Sequence, residues 1–425
     1  YLLVNGEFEV EFSQADALAL SLGVGPEDPL RLEAGLLFEL AHNNYSNGHT
    51  FLPRHKLVEA TSVLLEVSGE LLEDCLETLI RRGEADCERV ASQEAVYLPA
   101  LYEAETYIAQ RILEMSRAEL LPPEGLDKLV RRIEREQGLS YALQQREAVE
   151  LAAGRQVMLL TGGPGTGKTT CLRGVLSLFE MMGLDTALAA PTGRAAKRLG
   201  ELCNTGASTI HRLLETGFDP HSGKLVFTKN SYDPLKADAV IVDETSMVDV
   251  PLMAALLDAL DGDCRLVLVG DPDQLPSVGP GALFADLIRS GVVPTVRLTE
   301  IFRQAAQSAI IRNAHLINRG QVPDLRLNQG DFFCLARRDA QGVLDTIVDL
   351  CRRRLPERMG IPADQIQVLS PTRRRGTGTR TLNQALQAAL NPPLEGKRER
   401  RFGDWVFRAG DRVMQVRNNY DILWR

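Results

Sequence analysis

The sequence predicts an α/β fold preceded by a mostly helical domain, and three observations carry that expectation. Short apolar runs at 156–161, 186–190, 239–243 and 265–270 each lead into a helical pattern, an alternation that implies a parallel sheet with helices on its faces. Polar, chemistry-bearing segments follow these runs, at the strand ends where the sites of such sheets lie. Residues 1–120 carry helical spacing instead, and a second α/β pattern begins near 336. Three regions are therefore expected: 1–120, 121–320 and an incomplete second α/β domain over 321–425.

In the first region Leu72, Cys75, Leu76, Leu79 and Ile80 recur at helical spacing within 69–82. A preceding helix fits 54–66, with a Glu66-Val67-Ser68-Gly69 turn between the two. Arg81-Arg82-Gly83 then leads into two extended runs ending at Val96–Leu98. Helix, turn, helix and β-ribbon outline a winged helix; a small helical domain contacting protein fits as well. An amphipathic helix over 101–120 precedes Pro122-Pro123 and a charged stretch through Gln137, which marks a boundary near 121–135. Residues 216–233 interrupt the α/β alternation as a β-hairpin turning at Ser222-Gly223. Beyond 336 the pattern gives a helix over 340–355, a strand at 366–370 and another strand-like run at Arg412–Val416.

Composition sets limits. Apolar residues at 44% and charged residues at 25% are ordinary globular values. No apolar run approaches the roughly 20 residues of a membrane span. The seven cysteines are scattered without a CxxC pair, which favours a reducing, cytoplasmic setting over a disulfide framework or zinc site. A net charge of −9 counts against nucleic acid unless basic residues cluster locally. The chain starts at Tyr1 rather than Met, so a piece of a longer protein is expected.

Four segments carry the chemistry. Gly162-Gly163-Pro164-Gly165-Thr166-Gly167-Lys168-Thr169 fits the phosphate-loop pattern between a strand and a helix. Glycines let successive N–H groups of Gly163–Thr170 point at phosphates, and the helix N-terminus adds partial positive charge. Lys168 is expected on the β- and γ-phosphates and Thr169 on magnesium, so ATP and Mg²⁺ are the expected cofactors. Ala239–Val242 ends in Asp243-Glu244; Asp243 suits the metal, and Glu244 suits positioning and deprotonating a water. Val267–Pro276 is a strand leading into a polar turn with Gln274, whose amide suits γ-phosphate sensing. Leu298–Gln304 offers Arg303 as a candidate arginine finger.

Together with Gln145-x-x-Ala148, APTGRAAKRL at 190–199, TIHRLL at 209–214, VDETSMVD at 242–249, GDPDQLPSVGPG at 270–281 and TEIFRQ at 299–304, these segments resemble the superfamily 1B DNA helicases of the RecD type. The N-terminal region resembles the standalone, RecBC-independent form. The resemblance implies tandem RecA-like P-loop domains, the second incomplete here, in a monomeric 5′-to-3′ translocase acting on single-stranded DNA and single-strand/duplex junctions. It puts Gln145 on adenine, and Lys168, Glu244, Gln274 and Arg303 in catalysis and coupling. Thr192, Arg194, Lys197, Arg198, Thr209, His211, Arg373 and Arg374 are the DNA-contact candidates, of types that suit phosphate contact without base readout. The hairpin coincides with the family's 1B insertion. Gly410–Gln415 and Asn418–Asp421 match a stretch that leads, in the family, into a small β-barrel and two later motifs, expected beyond Arg425. Two rivals stand beside a motor. A small-molecule kinase would lack the second α/β region, and a regulatory switch would hydrolyse ATP without unwinding.

Overall fold

A computed structural model describes residues 10–218, 225–302, 307–326, 330–403 and 405–414. Two compact units divide the chain, 1–324 and 325–425.

The first unit opens with α1 (Phe12–Ser21) and α2 (Pro29–Asn47). Asp28 accepts from Leu30 N at 2.9 Å and Pro29 occupies the first turn, while Gly48 ends α2 in the left-handed region at φ 73°. Next come β1 (Phe51–Pro53), α3 (Arg54–Leu65), α4 (Gly69–Arg81), β2 (Asp86–Val90) and β3 (Gln93–Tyr97). The strands pair antiparallel in the order β1-β3-β2, so the expected helix–turn–helix and ribbon are both present. Leu36, Leu40, Leu57, Leu72, Leu76, Leu79 and Val96 form its buried core. Arg31, buried among them, bonds Asp16 at 2.8 Å and the Leu65 carbonyl at 3.2 Å. A charge this deep is tolerated because it is paired.

The central sheet contains β4 (Val157–Gly162), β5 (Thr186–Ala190), β6 (Ala207–Thr209), β9 (Ala239–Val242), β10 (Arg265–Gly270) and β11 (Thr295–Leu298). All pair parallel in the order β11-β4-β10-β9-β5-β6. The four apolar runs of the sequence are β4, β5, β9 and β10. They are mostly apolar because both faces of the sheet are covered. On one face Leu159, Val242 and Leu268 meet α5 (Pro99–Arg117), α11 (Val250–Asp258) and α12 (Leu283–Ser290). On the other, Leu160, Ile241 and Val269 meet α6 (Leu126–Gln137), α7 (Leu143–Gly154) and α8 (Lys168–Met181). Each such side chain contributes about 1.5–3 kcal/mol on burial. The sequence groups the amphipathic helix over 101–120 with the N-terminal region. In the structure the apolar face of α5, Ile108, Ile112 and Met115, lies in the core of the central sheet. The charged stretch after Pro123 is α6, which buries Val130 and Ile133.

Helices α9 (Gly193–Cys203) and α10 (Ile210–Leu213) flank β6. The hairpin forms from β7 (Thr216–Phe218) and β8 (Leu225–Phe227), paired antiparallel; its expected turn at Ser222-Gly223 lies outside the described residues. Helix α13 (Ala309–Asn318) follows β11.

The second unit departs from expectation. The helix expected over 340–355 runs further: α14 (Ala340–Asp349) passes through a π-helical turn at Leu350–Arg354 into α15 (Leu355–Met359). Helix α16 (Thr379–Leu390) and an antiparallel pair, β12 (Glu399–Phe402) and β13 (Trp405–Arg408), complete the described residues. The strand expected at 366–370 does not form, nor do residues 412–414 of the second expected run; 415 and 416 lie outside the described residues. A parallel strand is held by its neighbours, and the described residues of this unit supply none beside 366–370. Arg412 instead donates to the carbonyls of Asp364 at 3.1 Å and Ile366 at 3.4 Å. No parallel sheet therefore stands behind the expected second RecA-like domain among the described residues.

Candidate functional site

The phosphate-loop segment lies where its sequence predicts. β4 ends at Gly162, Gly163–Gly167 turn, and α8 starts at Lys168. Gly165 and Gly167 take φ of 78° and 83°, a region that L side chains adopt only at a cost. At Gly167 a Cβ would also collide with the Gln145 amide and stand 2.8 Å from the Phe302 ring. Thr166 is buried and donates from Oγ1 to the Gly163 carbonyl at 2.8 Å. Lys168 Nζ donates to the carbonyls of Gly162 and Gly163, the latter at 3.3 Å. Pro164 is exposed, and Thr169 and Thr170 are half-buried in the first turn of α8. Gln145 lies beneath the loop. Its Oε1 accepts from Ala142 N at 3.1 Å, and its Nε2 donates to the Gly167 carbonyl at 3.4 Å.

The acid pair follows β9, two strands away across β10. Asp243 Oδ1 accepts from Glu244 N at 2.9 Å, and Glu244 sits in the left-handed region at φ 54°, the kind of backbone strain that clusters at functional sites. Burial pushes the Asp243 carboxyl above its usual range, while the Glu244 N–H and the Lys168 and Arg198 cations pull it back. Burial and the neighbouring Asp243 likewise push Glu244 up, against Lys168 and Arg198. The loop lysine and both acids thus share one electrostatic site. Glu244 Oε2 is buried with no hydrogen-bond partner among the described residues.

Beyond β10, Asp271 is buried; its Oδ1 accepts from Asp273 N, and its carbonyl from Gln274 N, both at 3.1 Å. The Gln274 side chain is exposed. The same loop closes on the N-terminal region, where Gly281 N donates to the Gly48 carbonyl at 2.9 Å. Beyond β11, Gln144 grips Thr299 through Thr299 N→Oε1 at 2.9 Å and Nε2→Oγ1 at 3.0 Å. Phe302 N then reaches the Gly165 carbonyl at 3.3 Å. Arg303 lies outside the described residues. Sequence reasoning passed over Gln144, Asp271 and Phe302 as individuals. A buried acid in a polar turn and an amide beside Gln145 are ordinary until the fold pairs them.

The DNA-contact candidates in the first unit lie at the same sheet edge. Thr192 caps α9 by accepting from Ala195 N at 3.2 Å. Arg194, Lys197 and Arg198 are exposed at i, i+3 and i+4 of that helix, hence on one face. Thr209 caps α10 through Arg212 N at 3.1 Å, and the exposed His211 ring lies 5.7 Å from that of Phe227 in the hairpin. Arg373 and Arg374 belong to the other unit, both exposed, where the Arg374 carbonyl accepts from Thr372 Oγ1 at 2.7 Å.

Three family models match: an AAA domain over 140–333, an ATP-dependent RecD2 DNA helicase HHH domain over 1–51, and an ATP-dependent RecD-like DNA helicase SH3 domain over 382–422. The ATP-dependent RecD2 DNA helicase of Deinococcus radiodurans is 35% identical over 97% of this chain and 56% of its own length. The RecBCD enzyme subunit RecD of Mycolicibacterium smegmatis is 44% identical over 34% of this chain and 30% of its own. Among solved structures, Pif1 helicase from Candida albicans is 23% identical with a TM-score of 0.32, over 50% of this chain and 54% of that one. The chain spans about half the length of its full-coverage relative. No described helix is long and apolar enough to cross a membrane. RecD2-type HHH and RecD-like SH3 segments thus flank the P-loop domain, and over nearly its whole length the chain is similar to an ATP-dependent RecD2 DNA helicase.

Proposed function

We propose that this protein hydrolyses ATP and couples the hydrolysis to 5′-to-3′ movement on single-stranded DNA, opening duplex at a junction. The observation that carries the reading is electrostatic. Lys168 on the phosphate loop and Asp243-Glu244 just after β9 converge, while α9, which follows the neighbouring β5, carries Arg194, Lys197 and Arg198 behind its cap Thr192. The residues fit a magnesium ion: Thr169 and Asp243 would hold it, two protein oxygens being typical where phosphates and water fill the rest. The ion would supply charge neutralisation on the β- and γ-phosphates. Lys168 orients the phosphates, Glu244 orients the attacking water and takes its proton, and Gln274 with Arg303 couples the γ-phosphate to movement. The direction rests on the family resemblance, and the strand contacts use phosphate-directed side chains without base readout.

ATP hydrolysis measured with and without oligothymidine tests the reading. Strong stimulation is expected, and equal rates would overturn it. The hairpin gives a second expectation. Deleting 219–229 should abolish unwinding of a forked duplex while sparing the stimulated ATPase. Unwinding that survives the deletion removes the hairpin from strand separation and leaves the ATPase assignment intact.

A further inference from the structure

Helix α13 carries a group that the site above does not use. A Cβ added to Gly163 would stand 2.8 Å from His315 Cε1, 3.6 Å from Nε2 and 3.7 Å from Nδ1. The imidazole edge therefore faces the second residue of the phosphate loop, where only a glycine leaves it room. His315 Nε2 is buried and has no hydrogen-bond partner among the described residues. An unpaired buried nitrogen is unfavourable, and in native proteins such groups are few and tend to have a reason. The loop supplies one. The Gly163 carbonyl accepts from Lys168 Nζ at 3.3 Å and from Thr166 Oγ1 at 2.8 Å. A lysine that turns to a nucleotide phosphate withdraws one of these two donors.

We propose that His315 is a positioning residue of the phosphate loop, whose Nε2–H donates to the Gly163 carbonyl once nucleotide draws Lys168 away. The inference rests on the nucleotide-binding reading of the loop and adds a residue outside its motif. The bond belongs to the loaded loop in both ground and transition states, so its loss weakens nucleotide binding and raises KM with little change in kcat.

Two variants separate this bond from simple packing. His315→Phe keeps a ring against Gly163 without a nitrogen; His315→Gln keeps an N–H donor without the ring. Equilibrium titration with a non-hydrolysable ATP analogue is the primary readout, beside KM, kcat and the thermal midpoint. For the Phe variant the expected result is an approximately tenfold weaker Kd, the size of one hydrogen bond, with kcat close to wild type. The Gln variant is expected within about threefold of wild type, on the same reasoning that it keeps the donor. Equal Kd values for the two variants, or weaker binding by Gln than by Phe, overturn the proposal in favour of packing. A wild-type chain that binds no analogue would instead reject the nucleotide-binding reading itself.

Discussion

Replacing Lys168 with alanine is expected to lower kcat for ATP by about 10²–10³-fold, the scale for losing one preorganised charge on a transferring group. Three consequences of one ammonium combine. It would no longer stabilise charge developing on the phosphoryl oxygens. The carbonyls of Gly162 and Gly163 would lose the donor that Lys168 gives them. Asp243 and Glu244 would lose a cation that holds their proton affinity down, when catalysis needs both ionised. Lys168→Arg should not restore the rate, because a planar guanidinium does not fit a cradle shaped for a point charge. Single-turnover hydrolysis with and without oligothymidine checks this; a residual rate within tenfold of wild type would remove Lys168 from the chemistry.

Glu244→Gln separates binding from hydrolysis. The amide keeps the shape but cannot take a proton, so hydrolysis should fall by about 10²–10⁴-fold, the usual range for general-base loss. Binding of an ATP analogue should persist. The variant should also be more stable than wild type at neutral pH. Burial and Asp243 raise the folded proton affinity of Glu244, so the ionised carboxylate is held at a cost in the folded state that is absent on unfolding. With the folded pKa raised, that group's favourable contribution is complete below the unfolded carboxylate range and is lost as pH rises through the folded value. The gain from Gln should therefore be full above the folded value and vanish as pH falls into the ordinary carboxylate range. Thermal midpoints of both proteins across pH 4–8 measure it, with the Gln variant expected to melt above wild type at pH 7. A gain that grows on acidification would contradict the burial argument.

What could be read in the sequence was whatever is contiguous. The phosphate loop is eight successive residues, and the strands β4, β5, β9 and β10 are mostly apolar runs, so both appeared without tertiary information. The acids after β9 were legible for the same reason. The Gln144–Thr299 clamp joins residues far apart in the chain, and only the adjacency of α7 to β11 creates it. His315 meets Gly163 through a helix that also carries Arg312, Asn313 and Asn318, so nothing in its spacing set it apart. The failed strand at 366–370 shows the converse: its local pattern was adequate, but a strand exists only by pairing, and pairing is not a local property.

The contact between Gly48 and Gly281, together with the seat of α5 in the sheet core, bears on how this protein can be shortened or recombined. Residues 1–117 are not a detachable accessory. Removing them would strip Ile108, Ile112 and Met115 from one face of the sheet and uncover the apolar surface beneath. It would also leave the Gly281 N–H of the loop that carries Gln274 without its acceptor. A gene fusion that exchanged the N-terminal region at residue 121 would carry the cut through a shared core.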